Sequence, residues 1–319
     1  MRKSISAVSI VESPLQLLCA IEAINYFKVA NPIYYVRLSS QGRNDEQILN
    51  VIELLNLRKN VRFVEVSVLK QRNMGSISRI LLSALKIILS GRHADYVLLG
   101  SYDSKFIKFF KPFINKRKIK YVDDGAKTLI LLGKESNKRT LDFYTFYNIP
   151  NTCGLKIYHN DFSYLKGLIS AYPVELRTIF LGAPLYEDGF LDFDENINLF
   201  KKIFQYYGEK TILYVSHRRE DKGKLAAIEA INPNIETVCL DYPIELYGLY
   251  EKKTPLKIAS FHSTALITMR NIYGANAIAF RFQCLNSKKN AQLEQVFSFY
   301  SLEIKVLDMR NQSLVTKPI

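Results

Sequence analysis

The sequence predicts an α/β protein made of two Rossmann-like, doubly wound halves. Short apolar runs alternate with helix-length amphipathic stretches along most of the 319 residues. The alternation breaks between Asn148 and Pro184, where Pro150, Gly154, Pro173 and Pro184 interrupt it, and it resumes at Thr211. A hydrophobic share of 48% suffices for two cores in a chain of this length.

The elements follow in order. Residues 5–11 form an apolar run ending at Glu12-Ser13-Pro14, where Ser13 suits an N-cap and Pro14 the first helical position. A helical stripe covers 15–27. Strands are expected at 33–38, 61–66, 96–100 and 118–122, with helices at 45–57, 77–89 and 104–114 between them. Residues 1–155 are read as an N-terminal Rossmann-like domain, and 156–319 as a connector and a C-terminal Rossmann-like domain. In the second half strands are expected at 211–215, 235–240, 256–261, 277–282 and 303–307. Helices at 222–231, 243–252, 263–272 and 288–299 separate them. Two such halves facing a central ligand cleft are the architecture called GT-B among glycosyltransferases.

A net charge of +14 and a pI near 9.4 point to an anionic partner: a nucleotide, a nucleic acid or an anionic membrane face. The cysteines Cys19, Cys153, Cys239 and Cys284 are scattered and form no CxxC pair, which argues against a disulfide framework and a zinc site. Met1-Arg2-Lys3 lacks a following apolar h-region, and the apolar segment 77–90 is too short to span a bilayer. That segment, with Arg79 and Lys86, reads as a core helix with two snorkelling cations or as an amphipathic helix lying on a membrane. The expected location is the cytoplasm, with peripheral contact at the inner face of the cytoplasmic membrane.

Several groups follow predicted strands, where open α/β sheets place their ligands. Tyr121-Val122-Asp123-Asp124-Gly125 ends the strand at 118–122. One carboxylate can face a ligand as general base while the other caps the turn, although Asp-Gly is also an ordinary turn. Ser216, His217, Arg218 and Arg219 follow the strand at 211–215, a basic loop before a helix. Pro243 and Glu245 follow the next strand, the glutamate placed to accept ribose hydroxyls or to meet a helix dipole. His262, Ser263 and Thr264 follow the third, at a helix N-terminus that suits a phosphate or a simple cap. Glu187-Asp188-Gly189 lies in the presumed connector and is set aside. Asp192-Phe193-Asp194 mimics a metal-binding DxD but reads as a solvated acidic loop. No HxxxH, P-loop or GxGxxG occurs.

These residues, with SPLQ near the start and FLGAP before the second half, resemble the bacterial sialyltransferases, above all glycosyltransferase family 52, with part of the set shared by family 80 and the polysialyltransferases. The resemblance implies a GT-B enzyme with the acceptor side in the first domain and the CMP-sugar donor in the second. It gives Asp123 the role of general base, with Asp124 beside it. His217 would contact the CMP phosphate and assist departure of the leaving group, Ser263 and Thr264 would donate to that phosphate, and Glu245 would hold the ribose. Gly125, Ser216, Pro243 and His262 complete the matched motifs. The chain departs from the family at His217-Arg218, where the family has His-Pro, so Arg218 or Arg219 can share the phosphate or sugar-carboxylate contact.

The resulting expectation is a metal-independent, inverting sialyltransferase. It needs no cofactor and uses CMP-sialic acid as donor substrate and a hydroxyl of a surface glycan, lipid-linked or free, as acceptor. Kdo, legionaminic acid or another nucleotide sugar is the alternative donor. A nucleic-acid-binding protein fits the charge and the 20 Tyr and 19 Phe. Those aromatics lie mostly within apolar runs, however, and no RRM, KH or helix-turn-helix signature is visible.

Overall fold

Ser13 and Pro14 start the first helix as their chemistry directs: the Ser13 side chain accepts from the Gln16 amide, and Pro14 opens α1 (Pro14–Tyr26). The computed structural model describes residues 4–38, 42–65, 74–135, 141–149, 154–284, 286–302 and 304–309. The chain divides into two units, Met1–Gly167 with Asp241–Pro243, and Leu168–Leu240 with Ile244–Ile319.

The first unit runs β1 (Ser6–Val11), α1, β2 (Asn31–Leu38), α2 (Gly42–Leu54), β3 (Val61–Glu65), α3 (Met74–His93), β4 (Tyr96–Leu99) and α4 (Lys105–Phe110). It continues with β5 (Ile119–Val122), α5 (Ala126–Glu135), β6 (Leu141–Thr145), β7 (Leu155–His159) and α6 (Ser163–Leu168). Its parallel sheet has the order β3-β2-β1-β4-β5-β6-β7. The strand order reverses between β1 and β4, which places the loops after those strands at the switch point where such sheets bind ligands. Buried Val8 and Ile10 of β1 and Val97 and Leu99 of β4 share one core with Ile87 of α3 and Phe110 of α4.

The second unit runs β8 (Val174–Leu181), α7 (Phe193–Tyr207), β9 (Ile212–Val215), α8 (Lys222–Glu229), β10 (Ile235–Val238) and α9 (Tyr247–Glu251). β11 (Thr254–Ser260), α10 (Ala265–Tyr273), β12 (Asn276–Arg281), α11 (Ser287–Ser301) and β13 (Lys305–Asp308) complete it. The order β10-β9-β8-β11-β12-β13 is again parallel and reverses between β8 and β11. Phe180 centres this core, stacked on Tyr214 at 5.7 Å and met edge-on by Phe200 and Phe261.

Several expectations need correction. The domain boundary falls at Gly167–Leu168 rather than at 155, because β7 pairs with β6 and the amides of Tyr164 and Leu165 donate to buried Glu22 of α1. The irregular stretch 148–184 holds β7, α6 and β8, the last of these a central strand of the second sheet. The helix expected at 104–114 ends at Phe110 and gives way to a 3-10 turn at Lys111–Phe113, since Pro112 cannot continue an α-helix. The helix at 243–252 divides into a 3-10 turn, Ile244–Leu246, and α9. Asp192 is exposed, as expected, but it is a helix cap and not a loop residue: it caps α7 in a capping box with Glu195. Cys19 and Cys284 are buried and Cys239 is exposed. Val66, Cys153 and the Arg79 side chain lie outside the described residues.

Candidate active site

On the second unit the site is built around the turn after β9. Ser216 continues the ladder, its amide donating to Val238 O at 2.8 Å. The chain then folds back over Glu220. Glu220 Oε2 accepts from the His217 amide at 2.6 Å, and Oε1 accepts from Tyr214 OH at 2.7 Å. Lys224 Nζ, fully enclosed, lies 2.7 Å from Glu220 Oε1, 3.2 Å from Glu187 Oε2 and 2.9 Å from Ala183 O. A buried ammonium is tolerable only with such partners. Gly182 makes room for the arrangement, because a Cβ there would stand 2.1 Å from Glu220 Oε2.

The turn fixes the state of His217. The Arg219 amide donates to His217 Nδ1 at 3.2 Å, which assigns the proton of the neutral ring to Nε2. Burial, reinforced by the nearby cations Arg219 and Arg218, lowers its pKa from 6.5 to about 4. At neutral pH His217 is therefore an uncharged N–H donor. The exposed Arg219 guanidinium grips Asp188 with two hydrogen bonds, the Nη2–Oδ2 contact at 2.8 Å, and the Asp221 amide donates to Glu187 Oε1 at 2.8 Å. Glu187-Asp188, set aside as part of a connector, thus positions the His217 loop.

At the end of β11, Ser260 Oγ donates to Leu181 O at 2.8 Å and so ties β11 to β8 beside the switch point. Ser263 Oγ accepts from the Ala265 amide at 3.3 Å, and Thr264, the residue before α10, makes no side-chain cap bond. The Thr264 hydroxyl and the start of α10 remain able to serve a bound anion. The His262 ring sits against Phe190 and Phe282, its Nδ1 shut off from solvent without a partner, and burial lowers its pKa to about 4. Glu245 is buried, accepts from Thr268 Oγ1 at 2.8 Å, and has its pKa raised by that burial. Asp241–Pro243 groups with the first unit and Glu245 with the second.

On the first unit, the two carboxylates of the acidic pair part company as an extended chain requires. Asp123 is fully buried: Oδ1 accepts from Thr145 Oγ1 at 2.9 Å and Oδ2 from the Phe146 amide at 2.8 Å. Burial raises its pKa to about 7 despite those bonds. An enclosed carboxyl cannot meet an acceptor hydroxyl, which corrects the role expected of Asp123. Asp124 instead faces an open hollow that Ser101, Tyr102, Lys127 and Thr128 also line. Its Oδ1 accepts from Gln16 Nε2 at 2.6 Å, its amide donates to Thr128 Oγ1 at 3.0 Å, and Lys127 Nζ stands 3.6 Å from Oδ2. Gly125 follows at φ +68°, a left-handed turn conformation that glycine accepts without cost.

Gln16 was legible only as a letter of SPLQ, with no role attached. It also bonds the Glu12 amide at 2.8 Å, and Gly100 admits its side chain, because a Cβ there would stand 2.3 Å from Gln16 Oε1. Lys224 did leave a signal. A lysine in the first turn of a helix opposes the dipole, so it needs an acidic partner of its own.

Two switch-point sheets, with polar loops at the carboxyl ends of their strands, define a protein of the GT-B fold. Residues 151–279, which include the His217 turn and the Ser263-Thr264 loop, match the model of Glycosyltransferase family 52. No curated protein matches the chain in sequence. Among solved structures, the chain is similar to a UDP-N-acetylglucosamine 2-epimerase (11% identity, TM-score 0.53, 97% of this chain and 84% of that one). It is also similar to Medicago truncatula UGT71G1 complexed with UDP-glucose (12%, 0.52, 96% and 85%). A third is E. coli heptosyltransferase WaaC with ADP (9%, 0.50, 95% and 93%). At these identities the likeness shows the fold alone, and the fold serves an epimerase as well as transferases. The family match together with the fold supports a glycosyltransferase.

Proposed function

We propose that the chain is an inverting sialyltransferase moving sialic acid from CMP-sialic acid to a hydroxyl of a bacterial surface glycan such as an O-antigen, capsule or lipooligosaccharide. One observation carries the reading. Neutral His217 and the Ser263-Thr264 start of α10 follow β9 and β11, the strands on either side of β8, within the segment matched by family 52. Strands two places apart in a sheet are separated by about 10 Å, a span that one nucleotide phosphate and its sugar can bridge.

The chemistry assigned to each group follows from its surroundings. The acceptor oxygen forms a bond to the anomeric carbon of the sugar while the bond from that carbon to the phosphate oxygen breaks. The electron pair leaves on the CMP phosphate. His217 Nε2–H, the hydroxyls of Ser263 and Thr264 and the amides opening α10 stabilise that charge. Arg218 with Arg219 serves the sugar carboxylate or the phosphate. We put the general base at Asp124, not Asp123, since Asp124 lines the open hollow and is fixed there by Gln16. The attacking hydroxyl gives its proton to that carboxylate, and attack on the face opposite the leaving group inverts the centre.

A transfer assay with CMP-sialic acid, CMP-Kdo, CMP-legionaminic acid and UDP-sugars, run with wild type, Asp124→Ala and His217→Ala, tests the reading. Turnover of CMP-sialic acid that both variants abolish is the expected result. Turnover of another donor alone would replace the sugar. Full activity in both variants would remove the site.

A further inference from the structure

α3 carries two different apolar faces. Ala84 and Ile87 are buried in the core that also holds Ile107, Phe110 and Ile114. On the other side Leu82, Leu85 and Leu89 are 57%, 52% and 45% exposed. Residues three and four apart share a helical face, so these leucines form one ridge about 10 Å long.

A second apolar patch lies on α4 and the segment that follows it. Lys118 Nζ donates to Arg92 O at 2.8 Å, and Ile114 packs on Gly91, which fastens the segment to the end of α3. From it Phe109 and Phe113 project into solvent at 56% and 46% exposure, their rings 6.4 Å apart. The surrounding charge is of one sign. Between residues 82 and 118 the only acids are Asp95 and Asp103. Asp95 is held by Ser6 and Asp103 pairs with Lys108, whereas Lys86, Lys105, Lys116 and Arg117 stand exposed.

We propose that this face of the first unit docks on an anionic lipid bilayer, with the leucines and phenylalanines entering the interface and the cations meeting headgroup phosphates. Scattered exposed apolar residues are ordinary, but three leucines on one helix and two phenylalanines on the segment fastened to its end, with exposed cations among them, have the composition of an interfacial surface. The charge chooses the occupant. A second copy of this chain seated on the same patch would bring its own lysines against these, an arrangement that like-charge repulsion opposes. Among the described residues no helix is long and apolar enough to cross a membrane, so the contact is with the surface. The inference is independent of the sugar donor.

Cosedimentation of the full chain with vesicles tests it, comparing phosphatidylcholine alone with phosphatidylcholine and phosphatidylglycerol mixed. Binding to the mixed vesicles that weakens at high salt is expected. The combined substitution Leu82→Gln, Leu85→Gln, Leu89→Gln, at exposed positions and with little change in helix propensity, should lower that affinity more than about tenfold. Phe109→Ser with Phe113→Ser probes the same face from a different segment and should also weaken binding. Absence of wild-type binding, or equal binding by both variants, would overturn the proposal. So would a dimer in sedimentation velocity that the leucine variant dissociates, which would assign the face to a second copy.

Discussion

Gln16 Nε2 donates to Asp124 Oδ1 at 2.6 Å, so a side chain from the first helix holds the accessible carboxylate of the acidic pair. Gly100 makes the reach possible by leaving the space that Gln16 fills. Replacing Gln16 by Leu keeps the volume and removes the bond. The expected outcome is a transfer rate lowered about tenfold with CMP affinity unchanged, read by kcat and by calorimetric titration. Asp124→Asn removes the proposed base and should cost on the order of 100-fold or more in kcat.

Gly182 and Glu220 give the next expectation. Gly182→Ala sets a methyl group where Glu220 Oε2 now lies, so the carboxylate that anchors the His217 amide must move. Overpacking of this kind costs about 1–3 kcal/mol, measurable by urea unfolding. CMP binding should weaken in the same variant. Unchanged stability and affinity would contradict the placement of Glu220 under the turn.

Lys224 tests the buried charge cluster. Lys224→Met leaves Glu220 and Glu187 without their shared cation in an enclosed site. The loss should be about 3–5 kcal/mol, the usual cost of breaking a buried pair from one side. Glu220→Gln combined with Lys224→Met should recover part of it, because the more deeply buried of the two uncompensated charges is gone.

The pH dependence has a definite sign for each group. His217 and His262 fold with pKa values of about 4, below the ordinary 6.5, so the unfolded chain binds their protons first as pH falls. Their neutral burial is free of this cost above pH 6.5, and stability drops between 6.5 and 4. His262→Gln should flatten that decline relative to wild type. Asp123 acts in the opposite sense: its folded pKa of about 7 exceeds the ordinary 3.8, so its contribution is lost as pH rises from 3.8 to 7. Asp123→Asn should remove that component while leaving transfer activity close to wild type. Denaturant midpoints across pH 4–8 measure both effects.

The second half was the more legible in the sequence. Strands after Thr211 are apolar runs bounded by turn residues, and β9, β11 and β12 fall within one or two residues of expectation. α5, β6 and α7 were not anticipated, and β8 was hidden in a stretch written off as irregular. Val174–Leu181 carries Glu175, Arg177 and Thr178 inside the strand, so its run of apolar residues is broken. Those polar groups are accommodated by one another and by Tyr247, since Glu175 accepts from Arg177 and from Tyr247 OH. Local pattern cannot anticipate a partner 72 positions away.

Within the site, residue type and order along the chain were readable: an acidic pair, a histidine turn and a hydroxyl pair, each after a strand. Periodicity alone determined that these groups arrive at carboxyl ends of parallel strands, because alternation of strand and helix admits little else. Tertiary packing decided which aspartate meets solvent, which nitrogen of His217 carries the proton, and that Glu187, Glu220 and Lys224 form the support beneath it. Those outcomes depend on desolvation and on partners distant in sequence. Burial and hydrogen bonding are properties of the folded surroundings, and no string of neighbours along the chain encodes them.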